Sequence, residues 1–186
     1  MNSKLGPKIA RDFAEAVFYP TLWWNCLLGR ILKVRNWWDH IDPHVIVGAY
    51  PFPQDVEPMR RAGVRAVVNT CEEYEGPLEE YARCYIEQLR IPTIDFTHPQ
   101  LDDVKQAVEF VQQNVEQGHT VYIHCKAGRA RSATIALCWL MKYRGLSAKE
   151  GQSFLLERRP HVNRRLAKRP VVQEFAAGLS DNPDSV

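Results

Sequence analysis

The order of elements in this chain predicts an α/β layer fold with a largely parallel sheet. From Val45 onward, short β-branched runs alternate with longer amphipathic stretches, and such alternation pairs parallel strands through crossover helices. Residues 131–143 are apolar nearly all round, which suits a helix buried against that sheet. With 186 residues, 45% hydrophobic and 25% charged, the chain can bury one core and carry a short appendage.

The elements follow in order. Residues 45–48 are β-branched and closed by Gly48 and the Pro51-Phe-Pro53 breaker, so they read as a strand. Residues 55–62 suit a short helix and 64–69 a second strand; 79–85 are weakly helical, and 93–95 end a third strand. Residues 102–117 place Val104, Ala107, Val108 and Val111 on one face, an amphipathic helix with acids in its first turn. The run 120–124 is a strand, 131–143 the buried helix, and 147–157 and 168–177 complete the helices. This gives four to five strands flanked by helices. The division expected is an N-terminal segment, 1–38, a catalytic domain, 39–178, and a tail, 179–186.

The N-terminal segment differs in kind from the rest. Residues 1–38 hold six cations against Asp12 and Glu15, and they include Trp23, Trp24, Trp37 and Trp38. Cations mixed with indoles suit a segment lying in a membrane interface, where rings sit at headgroup depth and Lys and Arg meet anionic lipid. The alternative is a helix packed on the domain's own core. The longest apolar candidate, 17–29, is broken by Pro20 and Asn25 and falls short of the roughly 18 residues a spanning helix needs. The chain is therefore expected to be soluble or to lie on a membrane, with no secretory signal.

Charge and cysteine usage exclude other classes. A net charge of +2 is small for a nucleic-acid binder, so no nucleic-acid partner is expected. Cys26, Cys71, Cys84, Cys125 and Cys138 are odd in number and lack C-x-x-C spacing, against a disulfide framework or a zinc ribbon and for a reducing compartment.

The chemistry concentrates in residues 121–134. A strand runs into a tight loop, Lys126-Ala127-Gly128-Arg129-Ala130-Arg131, that opens into the buried helix. Free N–H groups and the dipole at such a helix start favour an anion. The G-x-x-x-x-G-K-[ST] nucleotide loop is absent. Instead Cys125 heads the loop and Arg131 closes it. A thiolate there can attack phosphorus in line while the Arg131 fork holds two phosphoryl oxygens. A cysteine in such surroundings can fall from about 8.5 to about 5 in pKa. Ser132 can hydrogen-bond the thiolate as it departs from a phosphocysteine, and His124 can orient the loop and support the thiolate. No cofactor and no metal are called for.

His124-Cys125-x5-Arg131-Ser132 resembles the signature loop of the cysteine-dependent protein-tyrosine and dual-specificity phosphatases. Its position two-thirds along the chain matches the dual-specificity arrangement, which implies a three-layer fold around a mostly parallel sheet. In that family an Asp upstream of the cysteine protonates the leaving oxygen. Asp95, just past the third predicted strand, is the candidate; Asp102 and Asp103 look like helix-start acids, and His98 is the substitute.

Lys126 and Arg129 add cations to the loop, and residues 142–170 carry nine cations against Glu150 and Glu157. This suggests a substrate with further anionic groups or one held at an anionic surface. Glu72-Glu73-Tyr74-Glu75, Phe18-Tyr-Pro-Thr-Leu22, Ile41-Asp-Pro43, Glu87-Gln-Leu89 and Cys125-Lys-Ala-Gly128 resemble the mitochondrial protein-tyrosine phosphatase-like phosphatidylglycerophosphate phosphatases. That resemblance implies hydrolysis of phosphatidylglycerophosphate to phosphatidylglycerol and phosphate, a step towards cardiolipin. It implies a location at the mitochondrial inner membrane, or at the bacterial inner membrane or cytoplasm. It also implies that the acidic loop holds Arg131 in place, through Glu73 first and Glu72 next. The alternatives are a dual-specificity protein phosphatase with a phosphoprotein partner, a phosphoinositide phosphatase, and a phosphate-reading module without turnover.

Overall fold

The computed structural model describes residues 20, 22–24, 26–32 and 34–180. Most of the 1–38 segment, and the tail beyond Ser180, lie outside the described residues.

Five strands form one mixed sheet: β1 (Trp38–Asp42), β2 (Val45–Gly48), β3 (Val64–Cys71), β4 (Glu87–Thr93) and β5 (Thr120–His124). Their spatial order is β1-β2-β5-β3-β4. Only β1, on the edge, runs antiparallel to its neighbour; β2, β5, β3 and β4 are parallel. The largely parallel sheet is as expected, and β1 is an addition that the sequence pattern did not predict.

Period-2 alternation sends side chains to two layers. On β5, Val121 and Ile123 join the larger core, while Tyr122 faces the smaller one. On β2, Val45 and Val47 take the first face and Ile46 the second. Two short helices, α1 (Pro53–Arg61) and α2 (Leu78–Arg83), cover the smaller core through Val56, Met59 and Tyr81. The larger core is covered by α3 (Leu101–Glu116), α4 (Arg131–Arg144), α5 (Ala148–Arg158) and α6 (Pro170–Ser180).

Helix α4 is the centre of that layer. Every residue from Arg131 to Met141 is buried, which explains a sequence without a polar face. At Ser147 a capping box starts α5: its Oγ accepts from the Glu150 N–H, and Glu150 accepts from the Ser147 N–H at 2.9 Å.

The described part of the N-terminal segment packs partly on this frame. Trp37 donates its indole N–H to the Tyr50 carbonyl at 2.9 Å and stacks on Phe52. Arg30 pairs with buried Asp55, which also accepts the Phe52 N–H at 2.8 Å to cap α1. By contrast Trp23, Trp24, Ile31, Leu32 and Val34 are exposed. No helix among the described residues is long and apolar enough to cross a membrane.

Candidate active site

The site sits at the carboxyl ends of β5, β3 and β4, where an open α/β sheet offers a crevice. β5 ends at His124, residues 125–130 make the loop, and α4 begins at Arg131. Gly128 turns the loop at φ +64. A Cβ at this position would lie 2.5 Å from the Gly48 backbone and from the Arg159 guanidinium, so only glycine fits both the conformation and the space.

Cys125 is buried at the floor of the loop. Burial pushes its thiol upward, but the Arg131 charge, the Ser132 hydroxyl and the N–H groups of Ser132 and Ala130 outweigh it, and the pKa falls to about 7. The Ser132 Oγ lies 3.3 Å from the sulfur. The fall is smaller than the sequence suggested because the thiolate is almost fully desolvated.

Arg131 is 1% exposed and held from three sides. Its Nη1 donates to Glu73 at 2.9 Å and to the Thr93 carbonyl at 2.8 Å, while Nη2 reaches the other Glu73 oxygen at 2.8 Å. The third contact, Asp95 Oδ1, is 3.0 Å from Nη2. Burial works against the charge, yet Cys71, Glu73, Cys125 and Asp95 together hold Arg131 protonated. Glu73 is thus the loop's bidentate partner for Arg131. Glu72 accepts from Arg90 through its backbone carbonyl, at 3.0 Å.

Asp95 stands at the cleft, two residues past the end of β4. It pairs with Lys126 as well as Arg131. Phe96 follows at φ +66, a left-handed backbone uncommon outside glycine, and its ring lies 5.5 Å from the Lys126 ammonium. The competing carboxylates are elsewhere: Asp102 is fully exposed beside Lys105, and Asp103 lies in the first turn of α3. His98 is occupied with the Pro99 carbonyl at 3.2 Å.

Three further side chains of the loop complete the site. Lys126 is 4% exposed and matched to Asp95. His124 is wholly buried, and its ring nitrogens bond no side chain among the described residues. Desolvation first, with the Arg131 charge adding to it, takes the imidazole down to about 3, so it is neutral; among the described residues no hydrogen bond joins its ring to the sulfur. Its carbonyl instead accepts from Thr70 Oγ1 at 2.8 Å. Arg129 is exposed and donates to the His161 carbonyl at 2.9 Å.

Sequence reasoning missed Arg159, counted among the surface cations. It is 0% exposed. Its Nε donates to the Gly128 carbonyl at 2.7 Å, its Nη2 to the Ala127 and Trp37 carbonyls at 3.3 Å, and it pairs with Asp39 of β1. Asn69 was missed too, and Tyr74 was named only as part of the acidic motif. Asn69 bonds the Tyr74 carbonyl at 2.8 Å, and Tyr74 donates to the Pro51 carbonyl at 2.6 Å and stacks on Tyr50. Together they fix the acidic loop that carries Glu73.

Over the sulfur opens a cleft of about 870 Å³, lined by Asp95, Lys126 and Arg131 and also by Trp24, Phe96 and Arg169. Cationic and apolar walls meet here, and the N-terminal segment supplies part of the apolar side.

Residues 45–175 match the dual specificity phosphatase catalytic domain. Phosphatidylglycerophosphate phosphatase PTPMT2 of Arabidopsis thaliana is 37% identical, over 86% of this chain and 72% of that one. The human phosphatidylglycerophosphatase and protein-tyrosine phosphatase 1 is 34% identical, over 87% of this chain and 85% of its own length. Among solved structures, PTPMT1 in complex with PI(5)P superposes with a TM-score of 0.74 at 30% identity, covering 80% of this chain and 99% of that one. The chain belongs to the dual specificity phosphatase family of cysteine-dependent phosphate-monoester hydrolases, in the branch that contains the phosphatidylglycerophosphate phosphatases.

Proposed function

We propose that the protein hydrolyses phosphatidylglycerophosphate to phosphatidylglycerol and phosphate through a phosphocysteine. The observation that carries this reading is a thiolate at the floor of a cleft whose walls are both cationic and apolar. A phosphorylated lipid presents both characters to its enzyme. The names of the relatives above support the same substrate.

In the first step the Cys125 sulfur attacks phosphorus as the bond to the glycerol oxygen breaks. Arg131 and the loop amides of residues 126–131 hold the equatorial oxygens, and Asp95 gives a proton to the departing alkoxide. In the second step Asp95 takes a proton from water, whose oxygen attacks phosphorus as the phosphorus–sulfur bond breaks. Ser132 donates a hydrogen bond to the thiolate that leaves. The neutral His124 packs beneath the loop and transfers no proton.

Trp24 lines the cleft, and with Trp23, Ile31, Leu32 and Val34, exposed on the same segment, it would seat the cleft's mouth on an anionic membrane surface. Trp23→Ala should weaken flotation with phosphatidylglycerol vesicles, and unchanged flotation would refute the seating. A second reading, phosphoinositide hydrolysis, is favoured by the PTPMT1 complex with PI(5)P.

The deciding experiment is phosphate release from phosphatidylglycerophosphate, phosphoinositides and phosphotyrosine peptides, each with wild-type protein and Cys125→Ser. Phosphatidylglycerophosphate should turn over fastest, and only with the thiol. A faster phosphopeptide, or release that survives Cys125→Ser, sinks the reading.

A further inference from the structure

The cations behind the catalytic loop are each matched by a carboxylate: Arg131 by Glu73 and Asp95, Lys126 by Asp95, Arg159 by Asp39. The far wall of the cleft is built differently. Arg164 and Arg169 line the same cleft as Cys125, and among the described residues neither meets a carboxylate.

Arg169 is the more telling of the two. It is half-buried just ahead of α6, and its Nη1 donates to the Thr134 hydroxyl at 3.0 Å. Thr134 is itself tied to the Ala130 carbonyl at 2.9 Å. The guanidinium is therefore fixed against the helix that follows the catalytic loop, and its charge reaches both Cys125 and Arg131. Its partner there is a neutral hydroxyl. Burial disfavours its charge and the Cys125 sulfur offsets this only in part; a half-buried cation with no hydrogen-bonded carboxylate gains from an anion in the cleft.

The cleft, at about 870 Å³, is in the range that encloses a whole small molecule rather than one phosphoryl group. We propose that Arg169, assisted at the rim by Arg164, forms a second anion subsite for a phosphodiester joined through glycerol to the scissile phosphate. This rests on the substrate reading above and adds to it the group that selects that substrate. One guanidinium fork beside a neutral hydroxyl suits a monoanion, which a phosphodiester is; a second monoester, a dianion, would need closer charge. A phosphodiester can come from the substrate itself or from a neighbouring lipid, and the test separates the two.

Full-length protein is assayed on p-nitrophenyl phosphate, on the soluble deacylated glycerophosphoglycerol phosphate, and on phosphatidylglycerophosphate in vesicles. Arg169→Gln should lower kcat/KM for the soluble diester about tenfold more than for the aryl phosphate, mainly through KM, and Arg169→Lys should recover part of it. Arg164→Gln, at an exposed position that tolerates change, should shift the same ratio about two- to threefold. A ratio unmoved in both variants overturns the subsite. So does a loss confined to vesicles, which would assign the arginines to surrounding lipid. Wild-type protein that turns over neither glycerol diester would instead sink the substrate reading itself.

Discussion

Glu73 meets Arg131 edge to edge, Oε1 on Nη2 at 2.8 Å and Oε2 on Nη1 at 2.9 Å. The pair fixes the plane of the guanidinium, with Nη1 also donating to the Thr93 carbonyl and Nη2 facing Asp95. Glu73→Gln removes the charge and turns an amide toward a donor. Stability should fall by about 1.5–3 kcal/mol, read from denaturant unfolding. Turnover should fall by about tenfold to a hundredfold with a smaller change in KM, because Arg131 loses its orientation rather than its charge. Unchanged kcat would show that Asp95 and the carbonyls suffice.

The Cys125 shift sets a pH dependence. The thiolate is the reactive form and the thiol is not, so kcat/KM should rise as pH increases through about 7. Ser132→Ala removes a hydrogen bond to the sulfur, and that bond favours the charged form. The ascending limb should therefore move to higher pH, and release of phosphate from the phosphocysteine should slow. A pre-steady-state burst in this variant, with a slow second phase, is the measurement. A limb that stays in place would mean the hydroxyl does not stabilise the anion.

Arg159 joins the loop to β1, since one side chain reaches Gly128, Ala127, Trp37 and Asp39. Lysine cannot span these partners with a single ammonium. Arg159→Lys should cost about 3–5 kcal/mol by leaving Asp39 and three carbonyls poorly matched, with activity lost alongside. Gly128→Ala should inactivate the enzyme even where the chain still folds, because the Cβ would meet the Gly48 backbone at 2.5 Å. Circular dichroism with an aryl phosphate assay separates the two effects, and an active Gly128→Ala variant would contradict the loop geometry.

Local signals carried much of this architecture. The parallel strands are β-branched runs and α4 is apolar all round, so both show in the pattern itself. The Cys125-to-Arg131 spacing is likewise short-range. Strand β1 did not show, because Trp38-Asp-His-Ile-Asp42 buries only Ile41. Its pairing comes from β2, across a tight hairpin. Arg159 was hidden for a related reason: beside Arg158 in a basic run it reads as surface, and only the return of α5 beneath the loop buries it. Lys126 likewise reads as a loop cation until Asp95 arrives from β4. Each of these depends on a contact more than 30 residues away or on an edge strand with a polar sequence, and periodicity reports neither.

Asp95 stands against both Lys126 and Arg131, while the first step needs an acid beside the leaving oxygen. A phosphoryl dianion bound at Arg131 is expected to compete with Asp95 for that guanidinium and to leave the carboxyl group facing the leaving oxygen. The consequence depends on the leaving group. With an alkyl phosphate, whose alkoxide is a strong base, Asp95→Asn should cut kcat by about 10²–10⁴-fold. With p-nitrophenyl phosphate, whose phenolate departs without a proton, the loss should be much smaller. Plotting log kcat against leaving-group pKa for both proteins gives the answer: a slope that steepens in Asp95→Asn assigns the proton to Asp95. Parallel lines would assign Asp95 to holding Lys126 and Arg131, and the proton to another donor.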